Sequence, residues 1–140
     1  EKEQDRIRHV DTCNAQTGPI FLAYRANEQI GKVVEACMKN APLYDLKRED
    51  GTRHTVWLMD EPEQIEAVQK AFATIQNIYI ADGHHRCASA VKVGLKRASE
   101  NPSDTGKEPY HYFLSVLFPD RDLMIMDYNR VVKDLNGLSE

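Results

Sequence analysis

The sequence predicts an α+β (mixed α/β) fold, a single domain with a mixed β-sheet, two β-hairpins and about three helices. Three observations carry that prediction. Apolar runs of strand length stand at 19–24 and 78–81. Segments with a helical period lie at 27–41, 60–75 and 87–98. Paired strand-like runs flank the turn residues at 48–51 and 119–122. Helices interspersed with hairpins argue against a uniformly parallel Rossmann sheet, and neither GxGxxG nor GxxxxGKS/T occurs.

A chain of 140 residues, 41% of them apolar, is long enough to bury one core and too short for two. Its formal charge of −4 discourages a general DNA-binding role, which calls for a basic face. The three cysteines (Cys13, Cys37, Cys87) are odd in number and show no CxxC spacing. They suggest neither a disulfide framework nor a cysteine-rich zinc site, so a reducing cytoplasm is the default expectation. No apolar run approaches the roughly 18 residues of a membrane span, and no signal peptide opens the chain. The charged start lacks an initiator Met, and 131–135 reads as the beginning of a helix. We therefore expect 1–140 to be a piece of a longer protein.

Residues 1–17 read as a polar arm anchored by Ile7 and Val10, either the end of a helix or a loop. Residues 19–24 form a near-continuous apolar run after Gly18, as a buried strand does. Asn27 is placed to cap a helix whose apolar positions are Ile30, Val33, Val34, Cys37, Met38 and Ala41. A hairpin follows, with strands at 42–47 and 53–59 joined through Asp50-Gly51, and Trp57 is expected in the core. Asp60 as cap, Pro62 in the first turn and Glu63 announce the next helix, with Ile65, Val68, Phe72 and Ile75 as its buried stripe. The strand 78–81 reads as central and buried. In the helix after it Cys87, Val91, Leu95 and Ala98 are expected to face the sheet, and Lys92, Lys96 and Arg97 to face solvent. Residues 101–109 read as a flexible loop, and 110–118 with 123–128 as a second hairpin.

The chemistry concentrates at Asp82-Gly83-His84-His85-Arg86, where a strand turns into a helix. The first N–H groups of a helix lack intrahelical acceptors, and the helix dipole adds partial positive charge there. Gly83 permits a ligand to approach the backbone, and Arg86 offers a planar fork for phosphate or carboxylate. Asp82, His84 and His85 add groups for proton transfer or metal binding. Asp-Gly is also an ordinary turn pair, and loop histidines are often merely solvated.

Around Tyr79-Ile80-Ala81-Asp82-Gly83-His84-His85-Arg86 the sequence resembles the uncharacterised bacterial family known as domain of unknown function 1015. Asp5-Arg6-Ile7-Arg8-His9, Gly18-Pro19-Ile20-Phe21-Leu22, Asp50-Gly51-Thr52-Arg53-His54 with Trp57, and Leu123-Met124-Ile125-Met126 before Asn129-Arg130 follow in the family's order. The resemblance covers nearly all of the chain but only the middle of a family member. The Asp-Gly-His-His-Arg element is also similar to the signature of the ParB/sulfiredoxin-like group, whose members include CTP-binding partition proteins, sulfiredoxin and a free serine kinase. That similarity implies a ParB/sulfiredoxin-like fold, phosphate binding by Gly83, His84, His85 and Arg86, and a metal ion or acceptor hydroxyl near Asp82. His84 occupies the slot of sulfiredoxin's reactive cysteine, so sulfinic-acid reduction is not implied. Asn129-Arg130 stands where many family members carry His-Arg.

The leading expectation is nucleotide-dependent phosphoryl transfer to a small metabolite, with ATP, ADP or CTP and Mg²⁺. Asp82, His84 and His85 are the candidate catalytic residues, and Arg6, His9, His54 and Arg130 form a second rank. The alternatives are a nucleotide-binding switch without turnover, and a divalent-metal hydrolase using Asp82, His84 and His85. The expected partners are a nucleotide and a small-molecule acceptor, and neither a membrane nor DNA is among them.

Overall fold

A computed structural model describes residues 2–137. Its centre is β1 (Ile20–Tyr24), flanked by β4 (Ile78–Asp82) on one side and β5 (Ser115–Pro119) on the other. The β1–β4 pair is antiparallel and the β1–β5 pair parallel, so the sheet is mixed as expected. Ile20, Leu22 and Tyr24 alternate inward and are buried. Period 2 sends one face of a strand to the core, which is why three residues of this short run carry so much of it. Tyr24 packs edge-on against Phe72 with ring centroids 5.0 Å apart, beside the buried Ile30 and Ala71.

The described residues also form four helices and a separate hairpin. α2 (Glu28–Cys37) begins where the sequence places it, with Asn27 Oδ1 accepting from the N–H groups of Gln29 and Ile30. Cys37 is buried on its inner face. β2 (Tyr44–Lys47) and β3 (Arg53–Val56) form a two-stranded sheet of their own, in which Arg53 clasps Asp45. Trp57 after it is only half-buried, its Nε1 donating to the Asn40 carbonyl. α3 (Pro62–Ala73) starts one residue later than the Asp60 cap implies. Its N-cap is Glu61, whose side chain makes no capping bond, and Pro62 supplies the preset φ of the first turn.

Several expectations are corrected. The N-terminal segment is a full helix, α1 (Lys2–Cys13), that packs on α4 (His84–Glu100). Lys96 and Arg97 are therefore not a solvated face. Both bond to the Asp11 carboxylate, at 2.7 and 3.1 Å, and Arg97 also reaches the Asp11 carbonyl and Asn14. α4 buries Ser89, Ala90, Val93 and Gly94, whereas Val91 and Leu95 are exposed. Close approach selects that face: a Cβ on Gly94 would lie 2.5 Å from the Tyr110 carbonyl oxygen. The strand 78–82 is an edge, not the centre, and all five of its residues are exposed. The second hairpin does not form. Short 3₁₀ turns at Pro109–His111 and Asp120–Asp122 bracket β5, and residues 123–137 contain no strand. Met124, Ile125 and Tyr128 of that segment lie bare. No helix among the described residues is long and apolar enough to cross a membrane.

Candidate functional site

β1 and β4 carry the site. Leu22 pairs with Ile80 but Phe21 pairs with Asp82, so Ala81 is an extra residue on β4. Such a bulge bends its strand and re-aims the next side chain. Directly after it Gly83 adopts φ 91° and ψ 25°, the left-handed region, and serves as N-cap of α4 without a side-chain capping bond. α4 begins at His84, three residues earlier than the apolar periodicity indicates. The uncapped N–H groups of its first turn therefore sit beside Asp82.

Arg86 folds back over this turn. Its Nη2 lies 3.2 Å from an Asp82 carboxylate oxygen, and its guanidinium lies over the Cα of Gly83. The Arg86 Nε is shut off from solvent and, among the described residues, has no hydrogen-bond partner. A buried charged donor without an acceptor is uncommon, because leaving it unsatisfied forfeits its hydration. Arg86 also lines a cleft between α1, α4 and the chain entering β1, together with Arg6, His9, Gln16, Gly18 and Ser89. The cleft has about 30 Å³ of free space, room for a water-sized group or the tip of an anion, not for a nucleoside.

Two second-rank residues thus meet Arg86, since α1 delivers Arg6 and His9 to the same cleft. His84 and His85 are exposed on the first turn of α4 and do not line it. His54 lies on the separate hairpin, opposite Leu46, and Arg130 lies on the exposed 123–137 segment. Asp82 is mostly exposed, with one carboxylate oxygen tied to Arg86. Among the described residues Asp82, His84 and His85 do not form a three-donor metal cluster, because adjacent residues at a helix start splay apart.

Gln16 and Ser89 were not singled out by the sequence. Gln16 is a clamp: Nε2 donates to the Tyr112 carbonyl, and Oε1 accepts from the Leu114 N–H. It ties the α1–β1 connection to the start of β5, and nothing local betrays a bond across that separation. Ser89 is fully buried and donates to the His85 carbonyl one turn back. Its only sequence signal is membership of the small-residue run 87–90.

The family model described as "Protein of unknown function (DUF1015)" matches residues 1–140. The chain belongs to that family. No curated protein and no solved structure matches it. In this DUF1015 chain the Asp-Gly-His-His-Arg element is therefore a bulged strand end, a left-handed glycine cap and a helix start, with the arginine turned inward.

Proposed function

We propose that this DUF1015 chain binds the phosphates of a nucleotide at the Asp82–Arg86 turn and transfers a phosphoryl group to a small metabolite. One observation carries the reading: among the described residues the enclosed Arg86 Nε has no partner, in a cleft edged by Arg6 and His9. Cationic groups converging on a buried donor call for an anion, and phosphate oxygens match a guanidinium fork. The first N–H groups of α4 add donors at the same turn. Similarity of the motif to the ParB/sulfiredoxin-like group favours a nucleotide over a simple anion. The small cleft admits the tip of a terminal phosphate, with the rest of the nucleotide outside.

In this scheme the bond from the terminal phosphorus to its bridging oxygen breaks as a bond to the acceptor hydroxyl oxygen forms. The hydroxyl proton passes to Asp82 or water, and the nucleotide leaves one phosphate shorter. Positioned cations do most of the work in such a reaction. Arg86 with Arg6 holds the phosphate, and His84 or His85 donates to the leaving oxygen. Asp82, with one oxygen free of Arg86, has the single carboxylate that a phosphate-bound Mg²⁺ ordinarily takes from a protein. Mg²⁺ when bound supplies charge neutralisation between the phosphates.

The test is an NMR titration of the protein with ATP, ADP and CTP, with and without Mg²⁺, followed by product analysis with candidate acceptors. Shifts centred on Gly83–Ser89 and on Arg6 and His9, lost in Arg6→Ala, are expected. Shifts elsewhere, or none, would overturn the binding site. Binding without product would replace transfer with a nucleotide-operated switch.

A further inference from the structure

A second site lies away from the Arg86 cleft, in the 101–111 loop. Asp104, Glu108 and His111 bring one donor atom each to within 4.8 Å of one another. His111 Nε2 stands 2.8 and 2.9 Å from the two Asp104 oxygens and 3.6 Å from Glu108 Oε2. From this arrangement the geometry points to a binding site for a divalent first-row transition ion, zinc being the natural probe, held by Asp104, Glu108 and His111. It is independent of the phosphate cleft.

The argument is one of valence. An imidazole nitrogen carries at most one proton, yet this nitrogen faces three carboxylate oxygens. An ion pair with Asp104 accounts for two of them, while Glu108, held in place by Thr105 and Lys107, brings the third to 3.6 Å, beyond hydrogen-bond reach. A metal ion accepts all three donor groups at once. Four-coordinate zinc, with bonds of about 2.0–2.1 Å, places its ligand atoms about 3.3 Å apart. The separations from His111 Nε2 straddle that spacing, and all three donor atoms lie within 4.8 Å of one another.

The carboxylates are also aimed from behind, as ligating groups commonly are. Tyr110 Oη donates to Asp104 Oδ2, and the Gly106 N–H donates to Asp104 Oδ1. Glu108 accepts from the Thr105 N–H and hydroxyl and from the Lys107 N–H. Asn101 in turn bonds the Tyr110 hydroxyl, and the Tyr110 carbonyl seats on Gly94 of α4. Three protein ligands leave one position for water or an outside ligand. One imidazole with two carboxylates suits zinc or manganese and excludes the soft thiolate-seeking ions.

The test uses the full chain stripped with EDTA and titrated with ZnCl₂, read by calorimetry and native mass spectrometry. One ion per chain is expected, with affinity at least about tenfold weaker in both Glu108→Gln and His111→Gln. His54→Gln, on the separate hairpin, should bind as the wild type does. X-ray absorption of the zinc-loaded wild type should show nitrogen and oxygen neighbours and no sulfur, a readout that does not depend on a variant folding. Absence of tight binding, wild-type affinity in either variant, or a sulfur ligand would overturn the proposal.

Discussion

Gly83 lies directly beneath Arg86: a Cβ on Gly83 would come within 3.0 Å of Nη2 and 3.2 Å of Nε. The glycine is thus both the left-handed cap of α4 and the floor on which the guanidinium rests. Its two roles separate energetically. The arginine tip is flexible and can move aside, whereas φ 91° penalises any L side chain.

Gly83→Ala should therefore destabilise the fold by about 1–2 kcal/mol through backbone strain. It should also weaken phosphate binding by pushing Arg86 off its seat. Urea unfolding measures the first effect and pyrophosphate titration the second. An alanine variant as stable as wild type would mean that the turn relaxes out of the left-handed region.

Gly94→Ala acts by contact alone, since the new methyl would lie 2.5 Å from the Tyr110 carbonyl oxygen, a backbone atom. Overpacking of this kind costs about 1–3 kcal/mol. The loss should appear in chemical denaturation, with the 109–111 turn perturbed in NMR spectra. No loss would mean that α4 and that turn do not pack as described.

Asn27→Ala removes the two bonds that Asn27 Oδ1 accepts from the start of α2. A loss of about 1 kcal/mol is expected. Asn27→Asp should retain most of the stability, and a thermal-melt series of the three proteins decides it.

How much of this was legible follows from the range of each interaction. The Asn27 cap, the Asp50-Gly51 hairpin turn and the strand at 20–24 rest on neighbours within a few residues, and the sequence reads them correctly. The inner face of α4 departs from the apolar periodicity because that periodicity selects the largest side chains. Packing against α1 and Tyr110 instead selects the smallest, Ser89, Ala90 and Gly94. Edge and centre of the sheet were exchanged because Ile78-Tyr79-Ile80 is as apolar as a central strand. The motif at 82–86 was visible, but its meeting with Arg6 and His9 required α1 to dock on α4 through Asp11, Lys96 and Arg97. No local pattern encodes that docking.

Acid should act on the 101–111 loop. His111 foremost, then the Gly106 N–H and the Tyr110 hydroxyl, lower the Asp104 pKa from the ordinary 3.8 to about 2. A depressed carboxyl contributes stability that is complete above its unfolded value and is lost as pH falls through its folded value. The Asp104 contribution should therefore be intact above about pH 4 and gone below about pH 2. Melts of wild type and Asp104→Asn in EDTA should converge across that window. A constant gap would show that the Asp104 charge plays no part.

The central claim is that Arg86 is a phosphate ligand, and calorimetric titration with pyrophosphate tests it most directly. Wild type, Arg86→Ala and Arg86→Lys would be compared at low ionic strength. A charge-assisted hydrogen bond contributes about 1.5–3 kcal/mol, so Arg86→Ala should weaken binding about 10- to 100-fold, with lysine recovering only part. Equal affinity in wild type and Arg86→Ala, with both proteins folded, would contradict the account.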